Sequence, residues 1–274
     1  EPLIAYEQMI SIIDNCIANK MNFKYSVTTN ALLLNESMVR SLREFDVYLS
    51  VSLDGNRDVH DRCRKKSDGT GTYEEVIKKI QIIKKYYSKI RVRMTVVPET
   101  AMDLYTSVMN IFSLGIDLVI AVPNLYSMNW NENLIKNIED QLVLLYRYAK
   151  ANKKEFVFYE HVLTCKKGVC SGGTHEFNIS ADGSIYPCSY VTGNSKYIIG
   201  TLKDGLNEKK VQELMYYYNQ KNIQCAGCLR EPVCTSSRCK FINAELTGDF
   251  LIPAPIVCEF ENMINRVALL LLQA

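Results

Sequence analysis

Ten cysteines run through the 274-residue chain, and eight of them lie between residues 165 and 258. Their spacing is Cys165-x4-Cys170-x12-Gly183-x4-Cys188, then Cys225-x2-Cys228-x5-Cys234-x4-Cys239, and last Cys258. Thiolates are soft ligands suited to iron–sulfur clusters and to zinc, and four complete either kind of site. Eight make two full sets, while Cys16 and Cys63 stand apart in ordinary segments. Zinc sites usually pair two short cysteine knuckles across one ion. Cys225, Cys228, Cys234 and Cys239 fit such a ribbon or knuckle, but Cys165, Cys170 and Cys188 have no partner knuckle. Spacing leaves both metals open, with iron–sulfur the better match.

Disulfides suit small secreted chains, and no stretch here resembles a signal peptide. At 274 residues and 47% hydrophobic, the chain can bury one large core, or a large and a small one, without staples. A reducing, cytoplasmic setting is therefore expected. The net charge of +2 gives no argument for a nucleic-acid partner. The apolar run 267–272 is far shorter than the ~20 residues that span a bilayer, so no membrane partner is expected either. It reads instead as the buried face of a closing helix. The chain opens on Glu1-Pro2 without an initiator methionine, the form of a fragment or a processed chain.

The elements that must carry these residues alternate in the first half. Helical spacing over 5–20, at Ile10, Ile13 and Ile17, is followed by a strand from Phe23 to Thr29. Asn35 to Phe45 reads as a helix capped by Asn35, and Val47 to Leu53 as a strand stopped by Asp54-Gly55. A charged, glycine-containing loop spans Asn56 to Gly71. A lysine-rich helix (Tyr73 to Tyr87), a strand (Ile90 to Val97), a helix (Met102 to Leu114), a strand (Ile116 to Val122) and a long helix (Asn133 to Asn152) follow. Strands separated by helices imply parallel βαβ units. Four strands are too few for a closed eight-stranded barrel. From about Phe156 short strands (Glu176 to Ser180, Ser184 to Tyr186), glycine turns and cysteines dominate, with a helix from Gly205 to Asn219. Such a region is expected to build little core and to depend on bound metal.

Parallel α/β folds bind ligands beyond the carboxyl ends of their strands. Here those ends carry Thr28-Thr29-Asn30, Ser52-Leu53-Asp54-Gly55, Pro98-Glu99 and Pro123-Asn124. The order Glu1-Pro2, Thr29-Asn30, Ser52-Leu53-Asp54-Gly55 and His60-Asp61-Arg62-Cys63-Arg64 resembles radical S-adenosylmethionine (SAM) enzymes, and the later cysteines resemble their SPASM extension with two auxiliary [4Fe–4S] clusters. The resemblance spans essentially the whole chain. It implies an α/β fold: a partial (β/α)6 barrel of which the last four strands are present, over 1–155, then a small cysteine-rich α+β SPASM domain over 156–274.

By the same resemblance Glu1 matches the glutamate of a Gly-Gly-Glu-Pro segment that holds the amino group of SAM. Ser52 and Arg64 would reach its ribose or carboxylate, Leu125 would pack on the adenine, and Asn30 would line the same mouth. One auxiliary cluster would take Cys165, Cys170, Cys188 and Cys239, the other Cys225, Cys228, Cys234 and Cys258. The family usually has three residues between the last two cysteines of the second group, and here Thr235-Ser236-Ser237-Arg238 makes four. The Cys-x3-Cys-x2-Cys loop of the SAM-cleaving cluster occurs nowhere in the sequence. That loop, with a third cluster, is expected upstream in a full-length protein, and the chain alone is expected not to cleave SAM.

Enzymes with this extension mostly modify peptides. The sulfatase-maturing branch carries an aspartate directly after the cysteine corresponding to Cys188, where this chain has Ser189. Serine makes a poor resting base at neutral pH. The stretch Arg238-Cys239-Lys240-Phe241 through Leu246-Thr247-Gly248-Asp249-Phe250, then Pro253-Ala254-Pro255, resembles maturases of cysteine-rich ribosomal peptides, some acting on Cys-x-x-x repeats. The expected partners are a precursor peptide and a reductant such as flavodoxin or ferredoxin. The expected product is a thioether cross-link, with both auxiliary clusters passing electrons. Formylglycine formation, as in sulfatase maturases, and a zinc- or peptide-binding module without redox catalysis stay open as alternatives.

Overall fold

The computed structural model describes residues 1–159 and 169–273. By contacts the chain divides into two compact units, 1–162 with 266–274, and 163–265.

The first unit is built on five parallel strands in sequence order: β1 (Ser26–Thr29), β2 (Tyr48–Ser52), β3 (Arg91–Val96), β4 (Leu118–Pro123) and β5 (Glu155–Phe158). The sequence shows the first four; β5 is an addition to that reading. Its four residues sit where the change in texture begins, directly after the turn at Asn152 and Lys153. The helices are α1 (Tyr6–Ala18), α2 (Glu36–Glu44), α3 (Arg57–Cys63), α4 (Tyr73–Ile83), α5 (Leu104–Ser113) and α6 (Glu132–Ala151). Strands paired in chain order with right-handed crossovers send their connecting helices to one face. The strands alternate accordingly: Val27, Val51, Val92, Met94, Val119 and Phe156 are buried, while Ser26, Thr28, Arg93 and Thr95 point the other way and are exposed.

Asparagines cap three of these six helices, α2, α3 and α6. Asn35, Asn56 and Asn131 accept from Met38 N (2.9 Å), Val59 N (3.0 Å) and Leu134 N (3.1 Å). The Asn56 cap explains one departure from expectation, since the charged loop after Gly55 begins with helix α3. In a second departure, the segment after β3 opens in 3-10 form (Pro98–Asp103) before α5 begins.

The second unit has an antiparallel meander of β6 (Asn178–Ile179), β7 (Ser184–Tyr186), β8 (Gly200–Thr201) and β9 (Gly205–Leu206). It continues with α7 (Glu208–Tyr218), α8 (Thr235–Arg238), α9 (Lys240–Thr247) and the start of α10 (Pro255–Leu272). Contrary to expectation it builds a core of its own, in which Ile185, Tyr186, Tyr197, Ile199, Leu214 and Phe241 are buried together. Phe241 meets Tyr197, Tyr218 and Phe250 edge-on, with centroids 5.6–6.0 Å apart. The end of α10 is a further correction: Val267 is buried but Leu269, Leu270 and Leu272 are exposed, and the buried face lies upstream at Val257, Phe260 and Met263. No helix among the described residues is long and apolar enough to cross a membrane.

Candidate functional site

Parallel strands put all their carboxyl ends on one edge, and the expected SAM residues of the first unit gather there. Glu1 sits beside the end of β1. Its carboxylate accepts from Thr29 Oγ1 (2.6 Å), Asn30 N (2.8 Å) and Leu3 N (3.2 Å). Ala31 follows in the left-handed region at φ +65°, fully buried, a strained conformation for a residue with a Cβ. The turn it makes lets Asn30 Oδ1 accept from Leu32 N at 3.1 Å. Ser52 ends β2 and is half-buried. Leu125, just past β4, is buried at 5% exposure.

Arg64 pairs with an acid just past the end of β2. Its Nε and terminal NH2 donate to the two carboxylate oxygens of Asp54 at 2.6 and 3.2 Å, a two-pronged pair on a buried acid. Asp54 Oδ1 also accepts from Thr95 N of β3 at 2.8 Å. His60, with no exposed surface, accepts the Asp54 N–H on Nδ1 (3.2 Å). That leaves the ring proton on Nε2, which faces Thr72 Oγ1 at 3.0 Å, and Thr72 donates onward to Arg64 O at 3.2 Å. Burial holds the His60 pKa below its ordinary value, so the neutral ring suits this network. Asp61 accepts from Tyr73 N at 2.8 Å, and a Cβ on Gly71 would overlap its carboxylate. The two short motifs at 52–55 and 60–64 are thus one hydrogen-bonded device that fixes the end of β2 to β3 and to α3.

The thiols of the second unit fall into two groups. Burial pushes Cys239 up to about 12, and the nearby thiols of Cys170 and Cys188 push the same way. Cys188 is raised to about 11 by burial, again with Cys170 beside it. A backbone N–H, that of Gly172, donates to Cys170 Sγ at 3.4 Å. A Cβ on Gly172 would approach Pro187 O and the same sulfur, so glycine is required by the close passage of the chain. In the other group, Cys258 is raised by burial and by Cys225 and Cys228, and Cys234 is raised to about 11 by burial and by Glu261, with Cys258 adding. Glu261, one turn beyond Cys258 on α10, accepts from Thr235 N (2.9 Å) and Arg230 (3.0 Å), fixing Cys258 against the Cys234 segment. Cys239 therefore lies with the earlier cysteines and Cys258 with the later ones, despite the extra residue before Cys239. Cys165 lies outside the described residues.

Sequence reasoning missed Lys240. It is 1% exposed, and its ammonium donates to Asn222 Oδ1. Burial lowers its pKa, while the Cys225 thiol, Glu231 and the Cys239 thiol support the charge. A positively charged residue next to Cys239 was the available signal, but its burial was not. Among the described residues, no three His, Cys, Asp or Glu side chains converge tightly enough to hold a single metal ion.

Residues 1–108 match the Radical SAM superfamily. The chain is 23% identical over 263 residues to a cysteine-type anaerobic sulfatase-maturating enzyme of Clostridium novyi (strain NT), covering 84% of this chain and 68% of that protein. It is 23% identical over 229 residues to the enzyme of the same description from Clostridium perfringens (strain 13 / Type A), covering 74% of this chain and 61% of that one. The chain thus spans about two thirds of the length of these relatives. Among solved structures, native anSMEcpe with bound AdoMet and Kp18Cys peptide superposes with a TM-score of 0.81 at 18% identity, over 99% of this chain and 81% of that one. Streptococcus suis SuiB bound to S-adenosylmethionine gives a TM-score of 0.64 at 15% identity, over 90% of this chain and 61% of that one. Residues 1–108 thus match the radical SAM superfamily, and the fold of the chain is similar to that of these two solved structures.

Proposed function

We propose that the chain is the SAM-binding and auxiliary-cluster part of a peptide-modifying radical SAM enzyme. The observation that carries this reading is the sorting of the thiols into two groups, joined to a polar mouth of the first unit that begins with Glu1. The donor sets fit the groups they would hold. Cys165, Cys170, Cys188 and Cys239 would ligate one [4Fe–4S] cluster, and Cys225, Cys228, Cys234 and Cys258 the other. A four-iron cluster takes one thiolate on each iron, so four cysteines complete each set.

With a reducing cluster, SAM supplies a radical that removes a hydrogen atom from the substrate. The chain's own residues do the holding. Glu1, fixed by Thr29 and Asn30, presents a carboxylate to the amino group of SAM, and Ser52 offers its hydroxyl to the ribose. Arg64 and His60 act through Asp54, keeping the strand ends in register so that Ser52 stays placed. Lys240 sets a positive charge beside one thiol of each group, which offsets part of the negative charge of a thiolate-ligated cluster. Both auxiliary clusters, with four cysteines each, are read as electron carriers. The substrate is a ribosomally made, cysteine-rich peptide, the product a thioether, and the electron donor a flavodoxin or ferredoxin. The sulfatase-maturase reading keeps a place because the two curated relatives above carry that description. Exposed Ser189 argues against it, standing where that branch has its aspartate.

Anaerobic reconstitution tests the proposal. About eight irons and eight acid-labile sulfides per chain are expected, from two four-iron sites. Stoichiometric zinc without sulfide would overturn it.

A further inference from the structure

We propose that Lys240 is a counter-charge shared by the two auxiliary clusters, holding the reduction potentials of both above what the thiolates alone would set. The inference rests on the two-cluster reading above and gives a role to a residue that ligates neither cluster. Lys240 opens α9 directly after Cys239, which is assigned to the first set. Its buried side chain reaches Asn222, itself buried and just upstream of Cys225, which is assigned to the second set. Asn222 is fixed on both sides: its carbonyl accepts from Cys225 N at 2.9 Å, and its amide donates to Ser236 O at 3.0 Å. Ser236 in turn donates to Asn243 Oδ1 at 2.9 Å, and neither residue has exposed surface. The ammonium is thus clamped inside the fold between the segments that carry Cys225 and Cys239, and both thiols favour its charged form.

A buried cation of this kind needs an anion, because lysine is almost never fully buried unless paired. Among the described residues the Lys240 ammonium has one hydrogen bond, to the neutral Asn222, and no carboxylate within ion-pair distance. Its other N–H groups stay available. Glu231 supports the charge only from further off. Arg230 already faces Glu261 at 3.0 Å and Lys221 is exposed, so neither supplies an unneutralised buried charge. Thiolate-ligated clusters are the missing anions, since their net charge is negative and becomes more so on reduction. Two such groups within reach of one side chain repel, so an electron on either disfavours an electron on the other. A fixed cation beside one thiolate of each favours the reduced state of both.

Reconstituted wild type, Lys240→Gln, Lys240→Met and a surface control, Lys221→Gln, are compared by anaerobic redox titration followed by electron paramagnetic resonance. Wild type is first checked for about eight irons and eight sulfides. Glutamine keeps a donor for Asn222 without the charge, and methionine removes both. All variants are expected to load as wild type does, since every cysteine is untouched. Loss of the charge should weaken one-electron reduction of each cluster about 10- to 100-fold, or about 60–120 mV at ~59 mV per tenfold. Both Lys240 variants should shift alike, while Lys221→Gln leaves both midpoints in place because water and salt screen it. A shift confined to one cluster overturns the shared role. Unmoved midpoints overturn the electrostatic role, and so do midpoints moved by methionine but restored by glutamine, which would reduce Lys240 to its bond with Asn222. Lys240 variants that fail to load also overturn it, by making the residue necessary for assembly rather than for potential. Wild-type protein without the irons and sulfides overturns the two-cluster reading itself, and this inference with it.

Discussion

Gly55→Ala measures how tightly the mouth is fixed. Gly55 has φ +133°, a backbone state that residues with a Cβ rarely adopt. A Cβ there would overlap Ser107 Oγ and Cβ of α5 and stand 3.1 Å from Ser107 Cα. Ser107 has no exposed surface, so it cannot swing aside. Two costs add: roughly 1–3 kcal/mol for the backbone conformation and roughly 1–3 kcal/mol for overpacking. The sum is about 2–6 kcal/mol, a large part of the ~5–15 kcal/mol that holds a typical domain folded. Urea unfolding followed by circular dichroism reads this loss. A Ser107→Gly background separates the two costs, since it removes both overlapping atoms and leaves φ unchanged. There the same substitution should cost about 1–3 kcal/mol less. A cost under about 1 kcal/mol in the wild-type background, or an equal cost in both backgrounds, would refute the reasoning.

Two further outcomes are expected. Because burial depresses the His60 pKa, the unfolded chain binds a proton that the folded chain refuses once pH falls below the ordinary value of 6.5. Stability is therefore full above that value, falls by at most about 1.4 kcal/mol per pH unit below it, and levels off beneath the folded pKa. Urea midpoints at several pH values should show this slope in wild type and a shallower one in His60→Gln; parallel profiles would contradict it. The partition of thiols predicts that Cys239→Ala and Cys258→Ala each remove about four irons but from different clusters. Electron paramagnetic resonance of the reduced variants should show different surviving signals, and the same surviving signal in both would mean the assigned crossing is wrong.

Strand alternation and the Asn35 cap were plain in the sequence because they depend on local physics. Val47 to Leu53 followed by Asp54-Gly55 reads as a strand and a stop in any context. The four-residue β5 was not legible, since a stretch as short as Glu155–Phe158 becomes a strand only by pairing with β4. The second unit's core was hidden for a similar reason: Phe241, Tyr218 and Tyr197 are far apart in sequence and meet only on folding. For the site, cysteine spacing announced eight ligands, the crossing of Cys239 and Cys258 came only with the family resemblance, and the 60–64 motif pointed to the mouth. What it could not reveal is that Arg64 would be spent on Asp54.

The ion pair of Glu139 with Arg266 has a consequence for how the protein is made. Glu139, buried in α6, accepts from Arg266 Nε and NH2 at 2.9 and 2.7 Å, across 127 residues of sequence. The strand pairs β1–β2 through β4–β5 each join neighbours in the chain, so they can form in order as a ribosome delivers them. Arg266 arrives only after the whole of 163–265 has been synthesised. Until then, among the described residues, the Glu139 carboxylate has only Lys136, on its own helix, for charge compensation. The first unit is thus discontinuous in time as well as in sequence, and a nascent chain stopped anywhere before residue 266 carries an acid in its core without its main counter-ion.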